Sequence, residues 1–138
     1  MIVAVCVDEK NGMMFHCRRQ SQDRLLRENM LLECGKRRLY MNEYSGRLFK
    51  DAVETEIVVS EDFLRDAKDG EFCFVEDRDI GEFLQKVEAV ILYKWNRCYP
   101  ADFYFSINLS DENWVLERTE EFKGSSHERI TKEVYKKL

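Results

Sequence analysis

The sequence predicts an α/β fold: one central mixed sheet, mostly parallel, with an antiparallel hairpin at its C-terminal edge and helices on its flanks. Three observations carry this. Short Val- and Ile-rich runs alternate with helical patterns through the first two thirds of the chain. The last third is dominated by strand patterns. No repeat, and no Pro- or Gly-rich linker, interrupts the 138 residues, so residues 1–138 are expected to form one domain.

Ile2 to Val7 is a nearly continuous apolar run and reads as a buried central strand. Asp8 to Gly12 is a turn in which Asn11-Gly12 supplies positive-φ residues. Met13 to Gln20 reads as irregular. Ser21 suits a helix N-cap, with Asp23 in the first turn, where a carboxylate favours the dipole. Leu25, Leu26, Met30, Leu31 and Leu32 follow at helical spacing until Gly35 stops the helix. Arg38 to Met41 reads as a strand, 45–52 as a weaker helix, and Glu56 to Val59 as a third strand. Ser60 caps a short helix that closes at Asp69-Gly70. Glu71 to Val75 is a strand, Asp79 to Lys86 a helix, and Val87 to Trp95 a strand. Trp114 to Phe122 and Ile130 to Tyr135 form the closing antiparallel pair, although Ile130, Val134 and Leu138 also fit helical spacing.

Composition narrows the classes. An apolar share of 44% suffices for a packed core, and the 36% of charged residues implies a well-solvated surface. No apolar run approaches a membrane span, and the N-terminus lacks the basic and apolar regions of a signal peptide, so a cytoplasmic, membrane-free protein is expected. The five cysteines are odd in number and form no C-x-x-C pair, which argues against a disulfide framework and a structural zinc site. Cys17 and Cys34 lie near basic residues that would lower a thiol pKa if they were also close in space. The net charge of −5 opposes nucleic-acid binding. Between Arg18 and Arg38, however, seven basic residues face three acidic ones, a local +4 that reads as a solvated helix face or as a site for an anionic ligand.

The run FCFVEDRDIGEFLQKVEAVILYKW from Phe72, with YPADFYF and NWVLERTEEF after it, resembles the C-terminal half of dihydrofolate reductase. VAVCVDEKNGM resembles that family's first strand and the start of its mobile loop, SQDRLLRENM its first helix, and LYMNEYS its second strand and phosphate loop. The resemblance covers most of the chain apart from a middle, Thr55 to Gly70, that is one strand and a loop shorter. It implies that Asp23 stands at the acidic position that protonates or positions the pterin, and that Tyr93 replaces a threonine beside the substrate. An ordinary helix-start aspartate suits Asp23 equally well.

The departures from the family are as informative. The Gly-Gly pair that admits the cofactor pyrophosphate is replaced by Val75-Glu76-Asp77, and the glycine and arginine of the other phosphate loop by Asn42 and Glu43, with Ser45 at the hydroxyl position. Like charges about 4 Å apart repel by roughly 1 to 4 kcal/mol between water and a protein surface. The sequence therefore predicts a diverged protein that has lost NADPH, holds no cofactor or metal, and acts through a small ligand or a partner. The alternative is an oxidoreductase of a pterin-like heterocycle with Asp23 as its acid. Any ligand is expected to be anionic and to lie near Arg18, Arg19, Arg24, Arg27 and Tyr93. A homodimer through the aromatics between Tyr99 and Phe105 is a further expectation. His16 and His127 read as solvated loop histidines. They cannot assemble the H-x-H-x-D-H motif of metallo-β-lactamase-type nucleases, and Ser125-Ser126 beside His127 matches no nucleophile elbow.

Overall fold

The computed structural model describes residues 1–50 and 52–138. Seven strands form the main sheet in the order β5-β4-β6-β1-β7-β10-β9. They are β1 (Ile2–Val7), β4 (Leu39–Met41), β5 (Ile57–Val59), β6 (Phe72–Phe74), β7 (Ala89–Lys94), β9 (Trp114–Phe122) and β10 (Ile130–Lys137). The first five run parallel to one another, and β10 is antiparallel to both β7 and β9. The mixed sheet with an antiparallel C-terminal hairpin is thus the architecture that the sequence predicts.

Alternation along β1 and β7 divides the core into two layers. Val3, Val5, Val7, Val90 and Leu92 face one side, where Phe63, Leu64 and Trp114 cover them. Ala4, Ile91 and Tyr93 face the other, under Leu26, Met30 and Cys34 of helix α1 (Arg24–Cys34). Those helix positions are four residues apart and fall on one face. Full burial of a side chain such as Met30 contributes about 1.5–3 kcal/mol.

Several local expectations change. Asp23, rather than Ser21, is the N-cap of α1, accepting from the amides of Leu25 and Leu26 at 3.0 and 3.1 Å. The stretch read as irregular forms a hairpin, β2 (Gly12–Phe15) with β3 (Arg18–Arg19), and β8 (Phe103–Tyr104) adds to β2. His16 and Cys17 at its tip have φ of 49° and 61°, the signature of a two-residue type I′ turn made without glycine. Gly12 is needed for space, since a Cβ there would meet Gln20 Nε2 and the Ala101 Cβ, and Asn11 alone supplies the positive φ. The weak helix at 45–52 is a single turn, α2 (Glu43–Gly46), running into a 3₁₀ turn at Arg47–Phe49; Asp51 lies outside the described residues. Ser60 precedes helix α3 (Phe63–Asp66) without capping its first amide, and instead accepts from Asp62 N. The helix expected at Asp79 to Lys86 is a 3₁₀ segment, Gly81–Lys86, in which Asp79 Oδ1 accepts from Gly81 N. No described helix is long and apolar enough to cross a membrane.

Candidate functional site

The strand ends β1, β4 and β6 deliver Asp8, Asn42 and Glu76 to one edge of the sheet. In parallel sheets ligands bind outside such carboxyl ends. The N-terminus of α1 and the β2–β3 hairpin close over the same edge.

The two segments compared above with phosphate-binding loops are joined to each other here. Ser45 Oγ donates to Glu76 Oε1 at 2.7 Å, and Asn42 Nδ2 donates to Asp77 Oδ1 at 3.0 Å. Arg19 completes the lock: its Nε and Nη2 meet the two Glu76 oxygens at 2.8 and 3.0 Å, and its guanidinium lies 4.2 Å from the centroid of the Tyr44 ring. Planar fork-to-carboxylate pairing is the strong form of an ion pair. Two amides at the start of α2 are taken as well, Ser45 N by Asn42 Oδ1 and Glu43 N by Glu61 Oε2, both at 3.0 Å. A pyrophosphate would meet carboxylates and already bonded donors, so the residues present do not fit a nicotinamide dinucleotide.

Beside this lock lies a cavity of about 20 Å³, bounded by Cys6, Met13, Asp23, Leu26, Glu76 and Trp95. That is room for about one water molecule, whereas small-molecule sites run to roughly 300 Å³ and more. Gln20 Oε1 is buried with no hydrogen-bond partner, while Gln20 Nε2 is held by Asp8 Oδ2 at 3.0 Å. A wider, shallow groove of about 490 Å³ runs alongside, between the β2–β3 hairpin and Tyr99-Pro100.

Asp23 is buried and saturated. Oδ1 accepts from Leu25 N, Leu26 N and Ser125 N; Oδ2 accepts from Ser126 N at 2.8 Å and lies 3.0 Å from His127 Nδ1. Burial alone would raise its pKa. The hydrogen bonds from Ser126, Ser125, His127 and Leu26 outweigh burial and hold the carboxyl far below the usual carboxylate range.

His127 corrects the reading of a solvated loop histidine. It is 3% exposed and stacks on Trp95 with ring centroids 4.5 Å apart. Its Nε2 lies 3.0 Å from Ser21 Oγ and 3.2 Å from Tyr99 Oη. No local pattern signals this, because His127 is separated from Asp23 by 104 positions and from Ser21 by 106.

The other candidate residues scatter. Arg18 is exposed at the hairpin, and Arg24 is exposed and paired with Glu28 at 3.0 Å. Arg27 Nη1 reaches Gln22 Oε1 at 3.3 Å and borders the small cavity. Tyr93 is fully buried beneath α1, with its hydroxyl donating to Asn29 Oδ1 at 2.8 Å. Of the four arginines only Arg19 is drawn deep into the site. Cys34 does not carry a lowered pKa: burial, with Glu33 beside it, pushes its thiol up to about 12. Among the aromatics from Tyr99 to Phe105, Phe105 is core and only Tyr104 is a large exposed apolar side chain. Among the described residues, no group of three or more His, Cys, Asp or Glu side chains is placed to hold a metal ion.

No family model matches this sequence, and no curated protein matches it. Solved structures do, 246 chains in all. Dihydrofolate reductase from Enterococcus faecalis, in a complex with NADP(H) and RAB-propyl, aligns over 99% of this chain and 96% of its own with a TM-score of 0.65. The fold is dihydrofolate reductase-like. Sequence identity in that alignment is 11%, so the likeness is one of fold and carries no activity with it.

Proposed function

We propose that this chain is a reductase fold that no longer uses NADPH and serves instead to bind a small anionic ligand. The observation that carries the reading is the bonding of Ser45 to Glu76 and of Asn42 to Asp77, reinforced by Arg19. The side chains that would have to release a phosphate site are one another's partners. Opening the lock would strand a buried carboxylate and a half-buried guanidinium, a loss of about 3 kcal/mol or more. The anionic preference rests on Arg18, which lines the open groove together with Phe15 and His16, while Arg19 beside it stays committed to Glu76. An arginine fork meets a carboxylate or phosphate in two bonds, and the aromatic rings offer a stacking face.

The alternative, reduction of a pterin-like heterocycle with Asp23 as the acid, has less support. A carboxylate held by backbone amides and His127 has no proton to deliver near neutral pH. A cavity that holds about one water leaves no place for a bicyclic ring. The test is a hydride-transfer assay with NADPH and dihydrofolate. No turnover above background is expected. Turnover that Asp23→Asn abolishes in a folded protein would overturn the reading.

A further inference from the structure

Three side chains from distant parts of the sequence stand in line at the start of α1. Asp23 Oδ2 lies 3.0 Å from His127 Nδ1, and His127 Nε2 lies 3.0 Å from Ser21 Oγ. From this geometry we propose that Ser21 is a nucleophile, activated by His127 and positioned by Asp23, that attacks small carboxylic or phosphoric esters.

The chemistry follows from the donor inventory. An ionised carboxylate only accepts, so Asp23 fixes the imidazole proton on Nδ1, where Ser126 Oγ at 3.1 Å is a second acceptor. Nε2 then carries a lone pair, directed at the hydroxyls of Ser21 and Tyr99. Stacking on Trp95 keeps the ring in this orientation. An aspartate holding one imidazole nitrogen and a serine on the other is the arrangement that generates a serine nucleophile on unrelated folds. Ser21 is half-buried at the margin of the small cavity, and Tyr99, which touches the same nitrogen, lines the wider groove. A small ester would enter by the groove and reach Ser21 past Tyr99, whose hydroxyl shares His127 Nε2 with it. Among the described residues no hydrogen bond occupies the amides of Ser21, Gln22 and Asp23, which leaves them free to donate to a bound ester.

The step balances without a redox partner. Ser21 Oγ bonds to the acyl carbon, or to the phosphorus of a phosphoric ester, as its proton passes to His127 Nε2. The bond to the leaving oxygen breaks, and that oxygen takes the proton from Nε2. Water, deprotonated by Nε2, then releases the acid and restores Ser21. This goes beyond the binding role. Labelling of Ser21 needs no ligand in the groove, so its failure leaves that role standing.

The test is treatment of the full-length protein with diisopropyl fluorophosphate, read by intact mass and peptide mapping. One adduct is expected, on Ser21, formed at least about 100-fold faster than on Ser125 or Ser126 of the same molecule. Ser21→Ala should take no adduct while melting like the parent, and His127→Gln should slow labelling by a similar factor. His127 is buried, so the comparison among the three serines in the parent protein decides by itself, whether or not the His127 variant folds. Absence of an adduct from folded protein, reaction of the three serines at similar rates, or modification of Tyr99 with Ser21 untouched would each overturn the proposal and leave the trio as a structural latch.

Discussion

Glu76 accepts a hydrogen bond from Ser45 at 2.7 Å while holding Arg19 in a two-point ion pair. One buried carboxylate thereby ties the end of β6 to α2 and to the β2–β3 hairpin.

Replacing Glu76 should therefore cost stability. Glu76→Ala leaves the half-buried Arg19 guanidinium and the Ser45 hydroxyl unpaired, and the expected loss is about 3 kcal/mol. Glu76→Gln keeps an acceptor for Ser45 and should lose less. Urea unfolding of the three proteins at neutral pH measures both differences; equal stability would show that the lock contributes nothing.

Acid should weaken the join between α1 and the 123–128 turn. The folded pKa of Asp23 lies below its unfolded value, as does that of Glu33, where the bonds from Lys132 and Arg118 outweigh burial. For a depressed carboxyl the stabilisation is complete above the unfolded pKa, about 3.9 for Asp and 4.3 for Glu. It is lost as pH falls through the folded value. Unfolding free energy should thus decline on the acid side of about pH 5, and Asp23→Asn should flatten part of that decline. An unchanged acid limb in the variant would contradict the assignment.

Gly124 faces Asp23 with no room for a side chain between them. A Cβ there would press into Asp23 Oδ2 and lie 2.8 Å from Ile130 Cδ1. Gly124→Ala should cost about 1–3 kcal/mol, as overpacking of an ordered site does. It should also shift the His127 ring resonances in an NMR spectrum, since the carboxylate must move. A spectrum and melting temperature like the parent's would sink this prediction.

The β2–β3 turn is open to improvement. His16 and Cys17 both occupy the left-handed region. His16→Asn with Cys17→Gly places the residue types that a type I′ turn favours and should stabilise by about 1 kcal/mol. Thermal unfolding would register the gain; destabilisation would mean that the Phe15–His16 stack, at 3.9 Å between centroids, outweighs the backbone term.

How much of this was legible in the sequence depended on range. The run Ile2 to Val7 announced a central strand because both its faces are covered. β10 was harder to read. Ile130, Thr131, Lys132 and Val134 are all buried, and a register shift at Val134/Tyr135 breaks the two-residue alternation, which produced the helical spacing. Residues 81–86 carry a helical pattern, but Asp79 captures the Gly81 amide and the segment tightens to a 3₁₀ turn. In the site, the acidic replacements at Glu76 and Asp77 were visible, but that they would bond to Ser45 and Asn42 was not. His127 sat among small polar residues typical of an exposed turn. Only the packing of that turn against Trp95 and the α1 N-cap buries it.

With Ser45, Asn42 and Arg19 bonded to Glu76 and Asp77, the chain's own side chains close the place where the fold would take a cofactor. Calorimetric titration of the 138-residue chain with NADPH is the decisive measurement of this closure. No saturable heat is expected up to millimolar cofactor. A one-to-one isotherm with a micromolar dissociation constant would contradict it.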